Sequence, residues 1–178
     1  ISFNPPEKKM GWCASDTRSI FFKDMCIPKS AILGNSEKGF KQFLQTLTIG
    51  RITIGALSIG TAQGAYNRAL AYSQEREAFG KSIDKFQGIS FKLSDMATQI
   101  EASRHLVYHA AWKKDQGFSV IKEASMAKLF SSETAMKVTT EAIQILGGYG
   151  YIKEYDVERF FRDAKILEIG EGTSEIQR

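Results

Sequence analysis

Proline is missing from residues 29–178; Pro5, Pro6 and Pro28 are the only ones in the chain. So long a proline-free stretch predicts long helices, whose interiors proline disrupts. Cysteine is scarce as well. Cys13 and Cys26 are too few for a disulfide scaffold, and they suit a reducing compartment and buried or half-buried thiols. No run of about 18 apolar residues is free of charge, so no membrane span is expected. The most apolar stretch, 49–64, carries Arg51. Charge of one sign is not in excess either. The net charge is +4, with acids and bases interspersed, which gives little support for a nucleic-acid partner. What remains is an ordinary globular composition, 43% hydrophobic and 25% charged, in a chain of 178 residues. That length buries a sizeable core without metals or disulfides. The start, Ile1-Ser2-Phe3-Asn4-Pro5-Pro6, does not resemble a signal or transit peptide and lacks Met, so the chain reads as a piece of a longer protein.

The prolines divide the chain. Residues 17–27 are rich in β-branched and aromatic side chains and lie between Gly11 and Pro28, which predicts a strand. One strand with an extended lead-in makes no stable sheet alone. Residues 1–35 therefore read as the tail of a β-domain, and 36–178 as a helical domain. From Ser36, a plausible N-cap, helical spacing links Phe40, Phe43, Leu44, Leu47, Arg51, Ile54, Leu57, Thr61, Ala65, Ala69 and Tyr72. Gly50, Gly55, Gly60 and Gly64 interrupt this helix, each at about 1 kcal/mol against Ala, and so predict a close neighbour or ligand. Asp84 and Gln87 are spaced as a capping box for a second helix with Phe86, Ile89, Leu93, Met96, Ile100, Val107 and Ala111 on one face, ended by Gly117. Ser119 is placed to cap a third, with Val120, Ala124, Ala127, Ser131, Val138, Ala142 and Ile145 inward and Gly147-Gly148 as its stop. A short helix carries Val157, Phe160, Phe161 and Ala164, and another begins near Thr173. The predicted fold is mainly α, an antiparallel helical bundle with a short β remnant in front.

Few residue patterns here carry chemistry. Gly80-Lys81-Ser82 is not a P-loop, because Glu75 stands where the motif needs glycine. Glu101, His105 and His109 fan over more than two turns, too far to hold one ion well; a solvated face with an ion pair is the better reading. In Gly60-Thr61-Ala62-Gln63-Gly64, core packing is the better reading. The loop 76–82 places Arg76 and Lys81 beside exposed backbone, either as a solvated turn or as a phosphate contact. Gly147, Gly148 and Gly150 end a helix where one glycine would do, which suggests something bulky against bare backbone. Sharpest is Gly170-Glu171-Gly172-Thr173. A carboxylate between two glycines is either a solvated acid near a helix start or, in apolar surroundings, a general base.

Several of these segments together resemble the acyl-CoA dehydrogenase family. Glu171-Gly172-Thr173-Ser174-Glu175-Ile176-Gln177-Arg178 is similar to its EGTSxIQR segment, Gln144 to Gly148 to its QxxGG segment, and Arg76 to Gly80 to its RxxFG segment. Lys9-Met10-Gly11, Ser15-Asp16-Thr17-Arg18 and Ile27-Pro28 resemble the end of the family's middle β-domain, so the resemblance runs from Lys9 to Arg178. It implies the end of that β-domain over 1–35 and a C-terminal helical bundle over 36–178. It implies an FAD enzyme that oxidises acyl-CoA to trans-2-enoyl-CoA, passes electrons to an electron-transferring flavoprotein, and assembles as a homo-oligomer, tetramer or dimer. The compartment would be the cytoplasm of a bacterium or the mitochondrial matrix of a eukaryote.

The resemblance also assigns roles. Glu171 would remove the α-proton, with a backbone N–H and a flavin hydroxyl holding the thioester carbonyl. Arg76 and Phe79 would meet the FAD of a neighbouring subunit, Arg76 at the pyrophosphate, with Phe86 and Gln87 on the same cofactor. Gln144, Gly147 and Gly148 would pack at its adenosine end, and Thr173 and Glu175 would touch the FAD of their own subunit. Thr48, Arg51 and Gly172 would lie near the substrate. The chain departs from the family pattern at Thr48, where Asp is frequent, and at Gly170, where Tyr is frequent. Some relatives carry the base on the first helix, where this chain has Gly50, which leaves Glu171 as the base. The alternatives are an acyl-CoA oxidase-like relative and a catalytically dead helical assembly module.

Overall fold

The computed structural model describes residues 1–178. Five α-helices dominate it: α1 (Gly39–Glu75), α2 (Gln87–Asp115), α3 (Ile121–Leu146), α4 (Val157–Ala164) and α5 (Ser174–Gln177). Two-residue strands β1 (Ser2–Phe3) and β2 (Ile20–Phe21) pair antiparallel, as do β3 (Glu77–Ala78) and β4 (Lys81–Ser82).

Side-chain contacts give the helix directions. Arg51 meets Ser125 and Tyr72 meets Tyr149, so α1 and α3 run parallel. Gln63 bonds Arg104, while Lys92 and Lys113 pair with Glu141 and Glu123, so α2 runs antiparallel to both. The predicted bundle is therefore present, as an up-down-up set of three long helices. After α3 the chain turns back. Phe160 of α4 lies over Gly64, and Glu171 then reaches Gly50.

Helix α3 buries every inward residue that its period predicts, from Val120 and Ala124 to Ile145. Helix α2 buries Leu93, Met96, Ile100 and Val107, with Ile89 and Ala111 half-buried against them. Helix α1 departs from expectation. Its buried face is Ile52, Gly55, Ser58, Ile59, Ala62, Ala65, Ala69 and Ser73. Of the spaced apolar set, Phe40, Phe43, Leu44, Leu47 and Leu57 stay exposed. The reason is the closeness of the helices. A Cβ on Gly55 would stand 2.8 Å from Val107 Cγ2, so small residues face inward and large ones outward. Gly64 is likewise closed off by the Phe160 ring, but a Cβ on Gly60 meets nothing within 4 Å, so the GxxxG is not one packing unit. By length and mean hydropathy, 1.2 over its most apolar window, α1 is long and apolar enough to cross a membrane, although Arg51 and Arg68 leave no charge-free run of 18 residues in it. Its small-residue face is nonetheless packed on α2 and α3.

Other local expectations are corrected. The strand over 17–27 shrinks to Ile20–Phe21, because β1 is its one partner and neither strand buries a face. Cys13 and Cys26 are exposed, since no residue before Ile52 is buried. Ser36 does not cap α1. The Asn35 side chain accepts the Glu37 N–H at 2.9 Å and caps the 3-10 turn Ser36–Lys38 instead. Asp84 forms no capping box; it accepts the Ser82 hydroxyl at 2.5 Å inside the turn that precedes α2. Ser119 is no cap either, because buried Val120 holds that position. The N-terminal segment is tied to α4 and its end: the Trp12 N–H donates to Asp163 at 2.6 Å, and Arg162 donates to the Met10 carbonyl at 3.0 Å.

Candidate active site

Glu171 lies in the turn between the 3-10 segment Lys165–Glu168 and α5. Its φ is 57° and that of Gly172 is 102°. The left-handed region costs a residue with a Cβ about 1–2 kcal/mol, so tertiary contacts must hold the turn. They come from two donors. Lys128 Nζ donates to the Gly172 carbonyl at 2.7 Å. Gln177 Nε2 donates to the Glu171 carbonyl at 3.2 Å and to that of Gly172 at 3.0 Å.

The turn aims the carboxylate at α1. A Cβ built on Gly50 would fall 2.6 Å from Glu171 Cδ, and nearer still to Oε2. Only a glycine leaves that space. Glu171 Oε2 is buried and accepts no hydrogen bond. Buried polar atoms are nearly always paired, and an unpaired carboxylate oxygen is an available proton acceptor. One residue along α1, Arg51 Nη1 donates to Ser125 Oγ at 3.0 Å, while its buried Nε has no partner. Thr48 is half-buried and its hydroxyl donates back to the Leu44 carbonyl at 3.0 Å, so it is spent within the helix. Thr173 and Glu175 begin α5, with Glu175 exposed. The Glu175 carboxyl is held below its usual range, first by its own backbone N–H and then by the Thr173 hydroxyl.

A second group of the expected residues gathers elsewhere. Arg76, Gly147 and Gly148 line a surface cavity of about 460 Å³ with Tyr72, Tyr149 and Ile83. No atom lies within 4 Å of a Cβ placed on Gly147 or Gly148, so bare backbone faces open space there. The Arg76 guanidinium sits 5.9 Å from the Tyr149 ring centre. Tyr72 packs on Tyr149 and Tyr155, and burial pushes its hydroxyl above the ordinary value. Next to this cavity, β3 and β4 form a hairpin whose tip residues, Phe79 and Gly80, both have positive φ, as the tightest hairpins require. Phe79 is 95% exposed and meets Phe86 edge-on, with Lys81 over the Phe86 ring. Gln87 and Gln144 are exposed and do not line the cavity.

The two groups are far apart. Gly50 and Arg76 are 26 residues apart along α1, about 39 Å at 1.5 Å per residue. Each helical end thus carries its own set. Sequence reasoning missed Lys128, Ser125 and Tyr149, and gave Gln177 no role. Lys128 had a legible signal: it follows Ala124 and Ala127 and precedes Ser131 at helical spacing, on the face that is buried.

Residues 37–178 match the family model described as acyl-CoA dehydrogenase, C-terminal domain. The short-chain specific acyl-CoA dehydrogenase of Clostridium acetobutylicum is 49% identical over 178 residues, all of this chain and 47% of that protein. Butyryl-CoA dehydrogenase from Megasphaera elsdenii, a solved structure, superposes with a TM-score of 0.97 at 49% identity, over 99% of this chain and 46% of that one. A chain from a structure described as the electron transferring flavoprotein of Acidaminococcus fermentans superposes at 0.98 with 49% identity, over 99% and 47%. The chain spans about half the length of the curated relatives it matches. Motif order, a helical bundle and a half-buried glutamate over a helix glycine thus meet a family model over four-fifths of the residues, and the chain belongs to the acyl-CoA dehydrogenase family.

Proposed function

We propose that this chain supplies the catalytic base and part of two cofactor contacts of an FAD-dependent acyl-CoA dehydrogenase, which oxidises acyl-CoA to trans-2-enoyl-CoA. The observation that carries the reading is the buried, unpartnered Oε2 of Glu171 above the bare backbone of Gly50. Glu171 accepts the α-proton of the thioester at that oxygen. Gly50 leaves the room the carboxylate needs. Against a dead assembly module stands a carboxylate oxygen, Glu171 Oε2, that is buried with no structural partner.

The residues present fit FAD. A guanidinium beside open backbone at Gly147 and Gly148 suits a pyrophosphate and the flat groups attached to it. FAD supplies the hydride acceptor when bound. Arg76, Phe79, Phe86 and Gln87, with Gln144, Gly147 and Gly148, would hold one such molecule; Thr173 and Glu175 would hold another. Because these sets stand at opposite ends of α1, one dinucleotide does not bridge them within a single chain, which supports an assembly of two or more copies. An electron-transferring flavoprotein is the proposed acceptor, in line with the description of the Acidaminococcus relative.

The test is Glu171→Gln in the flavin-loaded assembly. Acyl-CoA binding should persist while turnover falls by at least ~10²-fold, as for loss of a general base. Turnover near wild type would overturn the reading.

A further inference from the structure

Lys128 is a fully buried charged side chain with no carboxylate in contact. It is 0% exposed, on the inner face of α3 between Ala127 and Ser131. It forms no ion pair; its hydrogen bond runs to the Gly172 carbonyl, at 2.7 Å. Burial pulls its pKa below the ordinary lysine value, with Arg51 acting in the same direction and the more distant Glu168, Glu175 and Glu133 opposing. An ammonium in such a place is a liability to folding, and an apolar side chain of the same volume would fill the space at lower free energy. Packing therefore does not explain a lysine here. Its one specific contact does.

That contact falls on the turn that presents the base. Glu171 and Gly172 both hold positive φ, which glycine adopts freely and Glu171 keeps only where its surroundings over-determine it. Gln177 donates to the same Gly172 carbonyl from α5, a helix of only four residues. Lys128 donates from the first third of α3, on the face packed in the core of the bundle. The lysine is thus the link between the turn and a long helix that is packed along its length.

We infer that Lys128 is a positioning residue for Glu171: through the Gly172 carbonyl it anchors the left-handed turn to α3 and keeps the carboxylate over Gly50. It touches neither substrate nor cofactor and transfers no proton. The inference rests on Glu171 being the base, and it assigns the accuracy of that base's placement to a residue distant from it in sequence.

The test is Lys128→Met in the flavin-loaded assembly, with Glu171→Gln measured beside it. Met fills the volume and removes the donor, and Gln177 still satisfies the carbonyl, so the melting temperature should hold or rise. The kcat for acyl-CoA should fall on the order of 10- to 100-fold, the scale of an ångström-sized misplacement. KM should stay within about 2-fold, and the isotope effect with α-deuterated acyl-CoA should grow as proton removal becomes more rate-limiting. Amide exchange at residues 171–174 should accelerate while that of α3 does not. A stable variant with unchanged kcat and isotope effect overturns the inference, as does a kcat loss that only tracks flavin loss or melting. If Lys128→Met does not fold, Lys128→Gln is judged on the same measurements, since its amide stops short of the Gly172 carbonyl. Full turnover in Glu171→Gln sinks the proposed function separately, whatever Lys128 does.

Discussion

Gly50 and Glu171 compete for one volume, and that competition separates activity from stability at a single position. Gly50→Ala removes a helix glycine, which is worth up to ~1 kcal/mol in an exposed helix interior. The new Cβ meets the far end of the flexible Glu171 side chain, not backbone, so relief is cheap in energy and expensive in geometry. The variant should melt at or above the wild-type temperature while turnover drops at least several-fold. Thermal melting and steady-state rates on one preparation decide it; a parallel loss of both would mean that the carboxylate does not swing aside. Local pattern showed that Glu171 was unusual, because glycines flank it. It did not show what the carboxylate faces, since Gly50 lies on a helix more than a hundred residues away and no periodicity links the two.

At the scale of elements, the face that α1 packs on α2 and α3 is built largely from small side chains, and the glycines of α1 are not equivalent. Gly55→Ala drives a Cβ into Val107 Cγ2 and toward Ser131 Oγ, an overpacking that typically costs about 1–3 kcal/mol. Gly60→Ala meets open space and should stabilise by up to ~1 kcal/mol. Denaturant titration of the pair should show shifts of opposite sign; shifts of the same sign would mean that the bundle adjusts its spacing. This contact also explains what was readable in advance. The α3 face carries Val120, Val138 and Ile145 at strict helical spacing and was legible. The α1 face carries Ile52 and Ile59 but is mostly Gly, Ala and Ser, which a hydrophobic pattern barely registers, while its conspicuous Phe and Leu residues point outward. The helix starts were misread for a different reason. Asp84 is engaged by Ser82, and Asn35 outcompetes Ser36, choices that depend on the short turns ahead of each helix. Of the candidate site, the motifs were visible as segments; their division between two ends of one helix was not.

For the whole molecule, the N-terminal segment and the bundle are joined through a few polar links at α4. Arg162 makes two hydrogen bonds to Glu158, at 2.7 and 3.0 Å, and a third to the Met10 carbonyl. The Arg162 side chain holds the Glu158 carboxyl below its usual range. A carboxyl lowered in the folded state contributes stability above its unfolded pKa and loses it as pH falls through the lowered value. Arg162→Ala should therefore cost about 1 kcal/mol or less at neutral pH, nothing further once Glu158 is protonated in strong acid, and should speed proteolysis within residues 1–18. Melts at both pH values, with timed digestion, check this; an unchanged cleavage rate would show that Trp12 and Asp163 suffice. The parallel course of α1 and α3 has a last consequence, in the field they set up. Both carbonyl ends, each equivalent to about half a negative charge, converge on the cavity at Tyr72 and Leu146, and the amide ends of α2 and α4 lie at the same end of the bundle. The helix ends there nearly cancel, so the Arg76 guanidinium sets the sign of the cavity before it forms any bond, and a neutral residue in its place leaves a surface with little pull on phosphate.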